Sequence, residues 1–172
     1  SNYLGNGIEM TRVYLRKPRE MDLDEIKLAY QNSESLHQPW TYPPSNFENY
    51  IQQEGRYFLC LTETDQIIGT FNISNIIRGH FHSAYLGYEI FHPYQGHGYM
   101  RLGLKLLLNE AFQELNLHRL EANIQPENIA SIRLVAGAGF IKEGFSRQYL
   151  RIGGLEWKDH ERWAIINEDW AD

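Results

Sequence analysis

The chain has 172 residues, 42% hydrophobic and 22% charged, an ordinary soluble profile for one domain with a real core. Its formal net charge of −6 disfavours nucleic acid as a main partner and leaves basic peptides or amines acceptable. The one cysteine, Cys60, excludes an internal disulfide, and no run approaches the roughly 18 apolar residues of a membrane span.

No secretory leader pattern opens the chain, so a cytoplasmic protein is expected. A single domain takes the whole of 1–172, with 1–10 set apart as disordered or in part a cloning remnant. Thr11 to Arg16 alternates as a first strand, which Pro18 ends. Asp22 to Ser35 places Leu23, Ile26, Leu28, Ala29 and Tyr30 at the spacing of a moderately amphipathic helix. Residues 36–44 hold three prolines and are expected to be a loop. Its Trp40 and Tyr42 either pack beneath it or touch a substrate. Ser45, with Glu48 three positions on, reads as a capping box for a helix over Asn46 to Gln53.

Arg56 to Glu63 reads as a strand, with Cys60 inside it as a buried, inert thiol. Asp65 and Gln66 turn the chain into a strand over Ile67 to Ile76. There Ile67, Gly69, Phe71 and Ile73 make an apolar face, and Ile68, Thr70, Asn72 and Ser74 a mostly polar one that points to a groove or to solvent. Gly79 marks a loop. Ala84 to Phe91 then alternates as a strand that Pro93 stops. After Gly98 the period changes: Met100, Leu104, Leu107, Leu108, Ala111 and Leu115 follow helical spacing. Between strand and helix, Gln95, Gly96, His97 and Gly98 allow a tight turn with nothing projecting from two positions. Free N–H groups at a helix start can hold a phosphate, so this turn reads as an anion cradle. It is neither a dinucleotide fingerprint, since Arg101 stands where a third glycine is needed, nor a P-loop, since Leu104 stands where lysine is needed. Leu120, Ala122 and Ile124 mark the next strand, and Pro126 breaks it. Asn128 caps a helix over Ile129 to Ala138, which Gly139 ends in the left-handed region. Phe140 to Ile152 and Glu156 to Ile166 are two long strands joined at Gly153 and Gly154.

Taken together, Gln95 to Tyr99, then Asn128 with Ser131, then Gly137, Gly139 and Phe140 resemble the GNAT superfamily of acyl-CoA-dependent N-acetyltransferases. The resemblance runs from about Arg12 to Trp163 and is strongest toward the ribosomal-protein N-terminal acetyltransferases, especially the alanine-specific kind. Arg16, Trp40 and the ending Tyr149 to His160 support it. Met100 departs from the glycine or alanine usual at its position. The resemblance implies an α/β fold with a mixed, mostly antiparallel central sheet and helices on both faces, matching the order β-α-α-β-β-β-α-β-α-β-β. It implies acetyl-CoA as cofactor and an amine as acceptor. From charge and hydropathy no membrane and no direct nucleic-acid partner is expected, and the chain is expected to be a monomer or homodimer.

Acetyl transfer from a thioester to an amine sets the candidate roles. The backbone of Gln95, Gly96, His97, Gly98, Tyr99, Met100 and Arg101 would anchor the pyrophosphate. Tyr88, Ile90 and Phe91 would pair with the pantetheine arm as with an added strand, and an N–H near Ile90 would face the developing oxyanion. Glu89 is the candidate base, sharing a strand face with Tyr85 and Phe91, where aromatic neighbours would raise its pKa. By the resemblance, Ser131 would serve the thiolate and Asn128 the cofactor. Trp40, Asn72, Tyr85 and Tyr149 are the candidate acceptor contacts, with Trp157 and His160 edging the same groove. His80, His82 and His92 lack metal-ligand spacing, so no metal is expected. The acceptor is expected to be the N-terminal α-amine of a ribosomal protein. A small amine such as an antibiotic or polyamine, and a binding module without chemistry, remain alternatives.

Overall fold

The structure, a computed structural model, describes residues 12–172. Thr11, expected to begin the first strand, and the segment 1–10 lie outside the described residues. Seven strands form one sheet: β1 (Val13–Arg16), β2 (Arg56–Leu61), β3 (Ile67–Ile77), β4 (Ser83–Ile90), β5 (Arg119–Ile124), β6 (Ile141–Ile152) and β7 (Glu156–Ile166). Their order across the sheet is β1-β2-β3-β4-β5-β7-β6. Every neighbouring pair is antiparallel except β4 with β5. The mixed, mostly antiparallel sheet expected from the sequence is the one found.

The helices are α1 (Leu23–Asn32), α2 (Glu34–His37), α3 (Phe47–Gln52), α4 (Tyr99–Asn109) and α5 (Ile129–Gly137). The helix expected over Asp22 to Ser35 splits at Ser33, whose φ of −109° and ψ of 8° leave the helical region. The Ser33 hydroxyl instead accepts the His92 N–H at 2.9 Å, the kind of side-chain bond that competes with helix continuation. His37, expected in the loop, therefore ends α2. The cap of α3 is Asn46 rather than Ser45: its Oδ1 accepts the Asn49 N–H at 2.9 Å, so the box between Ser45 and Glu48 does not form.

Two cores flank the sheet. On one face α4 and α5 bury Leu104, Leu107 and Val135 against Leu59, Phe71, Ile73 and Leu120. A Cβ at Gly103 would come within 2.9 Å of both Leu59 and Phe71, so glycine is what lets α4 lie this close. On the other face α1 and α3 bury Ile26, Tyr30 and Ile51 against Phe58, Cys60 and Phe91. The alternation along β3 is not kept as expected. Its pairing with β2 shifts between Leu59 and Cys60 and passes over Ile68. This bulge sends Ile67 to the α1–α3 core, while Phe71 and Ile73 stay in the other.

The feature that positions the site is a wedge. Pairing of β4 with β5 is confined to Ser83↔Arg119, Ala84↔Leu120 and Tyr85↔Glu121. Past Tyr85 the two strands part, while β3 holds the other edge of β4 as far as Ile90.

Candidate active site

Backbone parity decides what β4 offers the wedge. The Phe91 N–H donates to the Ile68 carbonyl at 2.8 Å, so its neighbour Ile90, and with it Tyr88, turns backbone groups the other way, into the opening. His37, buried at the end of α2, contacts the Ile90 carbonyl through Nε2 at 2.7 Å. That leaves the Ile90 N–H facing the wedge. Phe91 does not join this edge, contrary to expectation. Its ring is 1% exposed, and its N–H and carbonyl are consumed by Ile68 and by the Tyr94 N–H.

A groove of about 510 Å³ runs from the wedge to the start of α4. Tyr88, Glu89 and Ile90 floor it, Gln95, Gly96, Gly98, Tyr99, Met100 and Arg101 bound one end, and Asn128 and Ser131 bound the far wall. Gly96 and Gly98 both have φ of 78°, and a Cβ on either would meet no protein atom within 4 Å, so the space they vacate is open. Gly98 caps α4. The first bond back along the helix comes from the Leu102 N–H, at 3.3 Å, so the Tyr99 and Met100 N–H groups precede the helix ladder. Gln95 approaches His92 Nδ1 with Nε2 at 2.9 Å and keeps a buried, unpartnered Oε1 in the groove wall. His97 lies outside the lining. It is exposed, stacks on Tyr99 at 5.7 Å and approaches the Tyr94 carbonyl.

Across the groove, Asn128 Oδ1 accepts the Ser131 N–H at 3.4 Å, the cap expected of it. Ser131 Oγ lies 2.6 Å from the Tyr88 hydroxyl. Burial pushes the Tyr88 phenol up to about 12, so it stays protonated at neutral pH.

Glu89 points to the opposite face of β4. Tyr30 and Thr70 donate to its Oε1 at 2.8 and 3.0 Å, and Thr41 donates to its Oε2 at 2.8 Å. Burial, and then the Glu89 charge, push the Tyr30 phenol well above its usual value, which fixes it as a donor. The aromatic surrounding expected for Glu89 is thus a set of three hydroxyls, and Phe91 packs on Tyr30 and His37 instead. Glu89 borders the groove and two further cavities. One, of about 240 Å³, lies against β5 and the β6–β7 hairpin. The other, of about 340 Å³, lies against α3 and the proline-rich loop.

The acceptor candidates divide. Trp40 lines the groove and the 240 Å³ cavity, and Asn72 lines both side cavities, its Oδ1 accepting the Tyr50 hydroxyl at 2.7 Å. Tyr85 and Tyr149 line none of the three: Tyr85 is 41% exposed at the last pair before β4 and β5 part, and Tyr149 packs edge-on behind His160 at 6.3 Å. Trp157 is 57% exposed, under Arg151. From this hairpin it is Leu150, Ile152 and His160 that reach the cavity. Sequence reading also missed Tyr30, His37 and Thr41. They come from α1, α2 and the loop, and no local pattern ties them to β4. Thr70 was visible as part of the polar face of β3. Cys60 is buried, and burial pushes its thiol up to about 11, an inert group.

The family model for the acetyltransferase (GNAT) domain matches residues 12–141. The chain belongs to the GNAT acetyltransferase family. The GNAT cosubstrate, acetyl-CoA, fits the groove on two counts: the open space over Gly96 and Gly98, and the backbone edge at Tyr88 and Ile90. The Escherichia coli [ribosomal protein uS5]-alanine N-acetyltransferase is 34% identical over 168 residues, covering 87% of this chain and 86% of that one. The probable N-acetyltransferase YjcK of Bacillus subtilis is 38% identical over 117 residues, but the match spans only 68% of this chain and 64% of that protein. The crystal structure of ribosomal-protein-S5-alanine acetyltransferase from Vibrio fischeri superposes with a TM-score of 0.84 at 28% identity, covering 94% of this chain and 96% of that one. The GNAT match ends where β6 begins, so the hairpin walling the 240 Å³ cavity lies beyond it. Among the described residues no helix is long and apolar enough to cross a membrane, and no group of His, Cys, Asp or Glu is arranged to hold a metal.

Proposed function

We propose that this enzyme acetylates the N-terminal α-amine of a protein, a ribosomal protein in the first instance, in the cytoplasm. The observation that carries the reading is Glu89 standing where the cofactor groove meets two side cavities, so one carboxylate faces both donor and acceptor. The similarity to ribosomal-protein alanine acetyltransferases supports the choice of acceptor.

When bound, acetyl-CoA supplies the acetyl group as a thioester. The backbone from Gln95 to Arg101 holds the pyrophosphate, and the wedge-facing edge of β4 holds the amide-rich arm by main-chain bonds. The Ile90 N–H, steadied through the His37 contact to its own carbonyl, faces the oxygen that gathers charge. Glu89 takes the proton from the acceptor ammonium, directly or through a water, which frees the lone pair that attacks, while Tyr30, Thr41 and Thr70 hold its position. Ser131, backed by Tyr88, offers its hydroxyl to the departing sulfur. An α-amine titrates near 8, so the demand on the base is modest.

The test is coenzyme A release measured over a panel of acceptors. Turnover on peptides with a free N-terminal alanine or serine supports the reading. Turnover confined to polyamines or other small amines overturns the acceptor, and binding of acetyl-CoA without turnover overturns the chemistry.

A further inference from the structure

Within the 240 Å³ cavity three residues stand in a row across three strands. Asn72 on β3 pairs with Gly87 on β4. On β5, Asn123 stands two residues past Glu121, as Gly87 does past Tyr85, which is the partner of Glu121. All three line the cavity. Gly87 leaves a notch between the two amides: a Cβ there would meet nothing within 4 Å, and its φ is not in the left-handed region. The protein's own fold therefore does not require glycine at this position. Among the described residues no hydrogen bond engages the Asn123 amide, and its Oδ1 is buried without a partner. An unpaired buried acceptor is costly, so a native fold that keeps one at a cavity wall points to a donor arriving with a ligand. The Tyr50 hydroxyl holds Asn72 Oδ1, which leaves the Asn72 NH₂ as the donor on the other side of the notch.

Resting on the reading above, we infer that the Gly87 notch seats the first peptide group of the acceptor, with Asn123 Oδ1 accepting its N–H and the Asn72 amide donating to its carbonyl. A trans peptide directs its N–H and carbonyl to opposite sides, and the two asparagines stand on opposite sides of Gly87. Neighbouring strands lie about 4.8 Å apart, so the asparagine Cα atoms are about 10 Å apart before the splay widens the gap, room for one peptide group between two short side chains. Glu89 lies two residues farther along β4, roughly 6.8 Å from Gly87, on the side where the α-amine of the same residue would project. The site thereby selects an amine that precedes a peptide bond over a simple alkylamine, which has neither group to offer.

The experiment compares an alanine-first peptide with its ester analogue, in which oxygen replaces the first peptide N–H. Wild-type enzyme is expected to prefer the amide in kcat/KM by about tenfold, the effect of one uncharged hydrogen bond to a buried group. Asn123→Leu keeps the volume, removes the amide and should abolish that preference. Gly87→Val suits a strand and fills the notch, and should raise KM for the peptide at least about tenfold, with melting temperature and acetyl-CoA affinity as controls for folding. A wild-type amide preference in Asn123→Leu, or a wild-type peptide KM in Gly87→Val, overturns the inference and leaves N-terminal acetylation standing. Failure of the wild-type enzyme on both peptide and ester overturns the two together.

Discussion

The Tyr88 hydroxyl and Ser131 Oγ meet at 2.6 Å, joining β4 to α5 across the cofactor groove. Ser131→Ala should lower kcat about ten- to a hundredfold with little change in acceptor KM, because a hydrogen bond to a developing thiolate contributes ~1.5–3 kcal/mol and grows only as the charge forms. Tyr88→Phe leaves the serine in place but frees it to rotate, and should cost about two- to tenfold. If the tyrosine acts through the serine, the double variant is no slower than Ser131→Ala alone. Multiplying losses in steady-state rates would show that the two act separately.

Gly98 caps α4 with φ of 78°, where an L side chain is strained, and its vacated space opens into the groove. Gly98→Val should abolish acetyl-CoA binding and also lower the melting temperature, because the left-handed region costs a β-branched residue at least ~1–2 kcal/mol. Asn tolerates that region, so Gly98→Asn should keep most of the stability and still weaken acetyl-CoA binding. Calorimetry showing wild-type affinity in the Asn variant would remove the glycine turn from the cofactor site.

Glu89→Gln keeps the shape, and the Thr41 and Thr70 hydroxyls can turn to accept from the new amide. The rate at pH 7 should fall and recover partly toward pH 9, as the acceptor α-amine, with a reference pKa of about 7.7–8.0, loses its proton unaided. A pH–rate profile parallel to wild type from pH 6 to 9 would assign Glu89 to structure.

His160 is 2% exposed in the wall of the 240 Å³ cavity, and burial lowers its pKa below the usual 6.5. The folded protein thus favours neutral imidazole, with the Nδ1 side toward the Lys158 carbonyl at 2.8 Å. As pH falls below 6.5 the unfolded chain takes up a proton that the folded chain resists, so this histidine's contribution to stability is present above 6.5 and is lost on acidification through its folded value. The melting temperature of wild type should fall more steeply from pH 7 to 5 than that of His160→Gln. Parallel curves would show that His160 titrates alike in both states.

Much of the fold was legible because its signals are local. Alternation in β4, the period change after Gly98, the Asn128 cap and the glycines at 139, 153 and 154 each specify their own stretch of backbone. What escaped was assembled from afar. Tyr30, Thr41 and Thr70 converge on Glu89 from three segments, so the sequence shows the carboxylate but not its hydroxyl partners. Ser33 breaks a helix by bonding to His92, 59 residues away, which no window of helical spacing can register. Phe91 looked like the next residue of an open edge. It is instead the point where β4 turns back into the core, because its N–H and ring are both spent there. Tyr149 faces His160 across the hairpin as read, but it is its neighbour Leu150 that reaches the cavity, in a stretch where pairing between β6 and β7 slips between Ser146 and Leu150.

The wedge divides the sheet into two plates that share a short seam and a common core. One plate, β1 to β4, carries Glu89 and the wedge-facing backbone at Tyr88 and Ile90. The other, β5 to β7, carries Asn123 and the hairpin wall, and within the sheet β6 and β7 join the first plate only through β5. The plates share a seam of three residue pairs. At so short a seam the core packed beneath it sets the angle between the plates, and the Tyr88–Ser131 contact ties them again across the opening. Substitutions buried at Ala84 or Leu120 are therefore expected to act as adjustments of aperture, changing how far apart Glu89 and Asn123 are held.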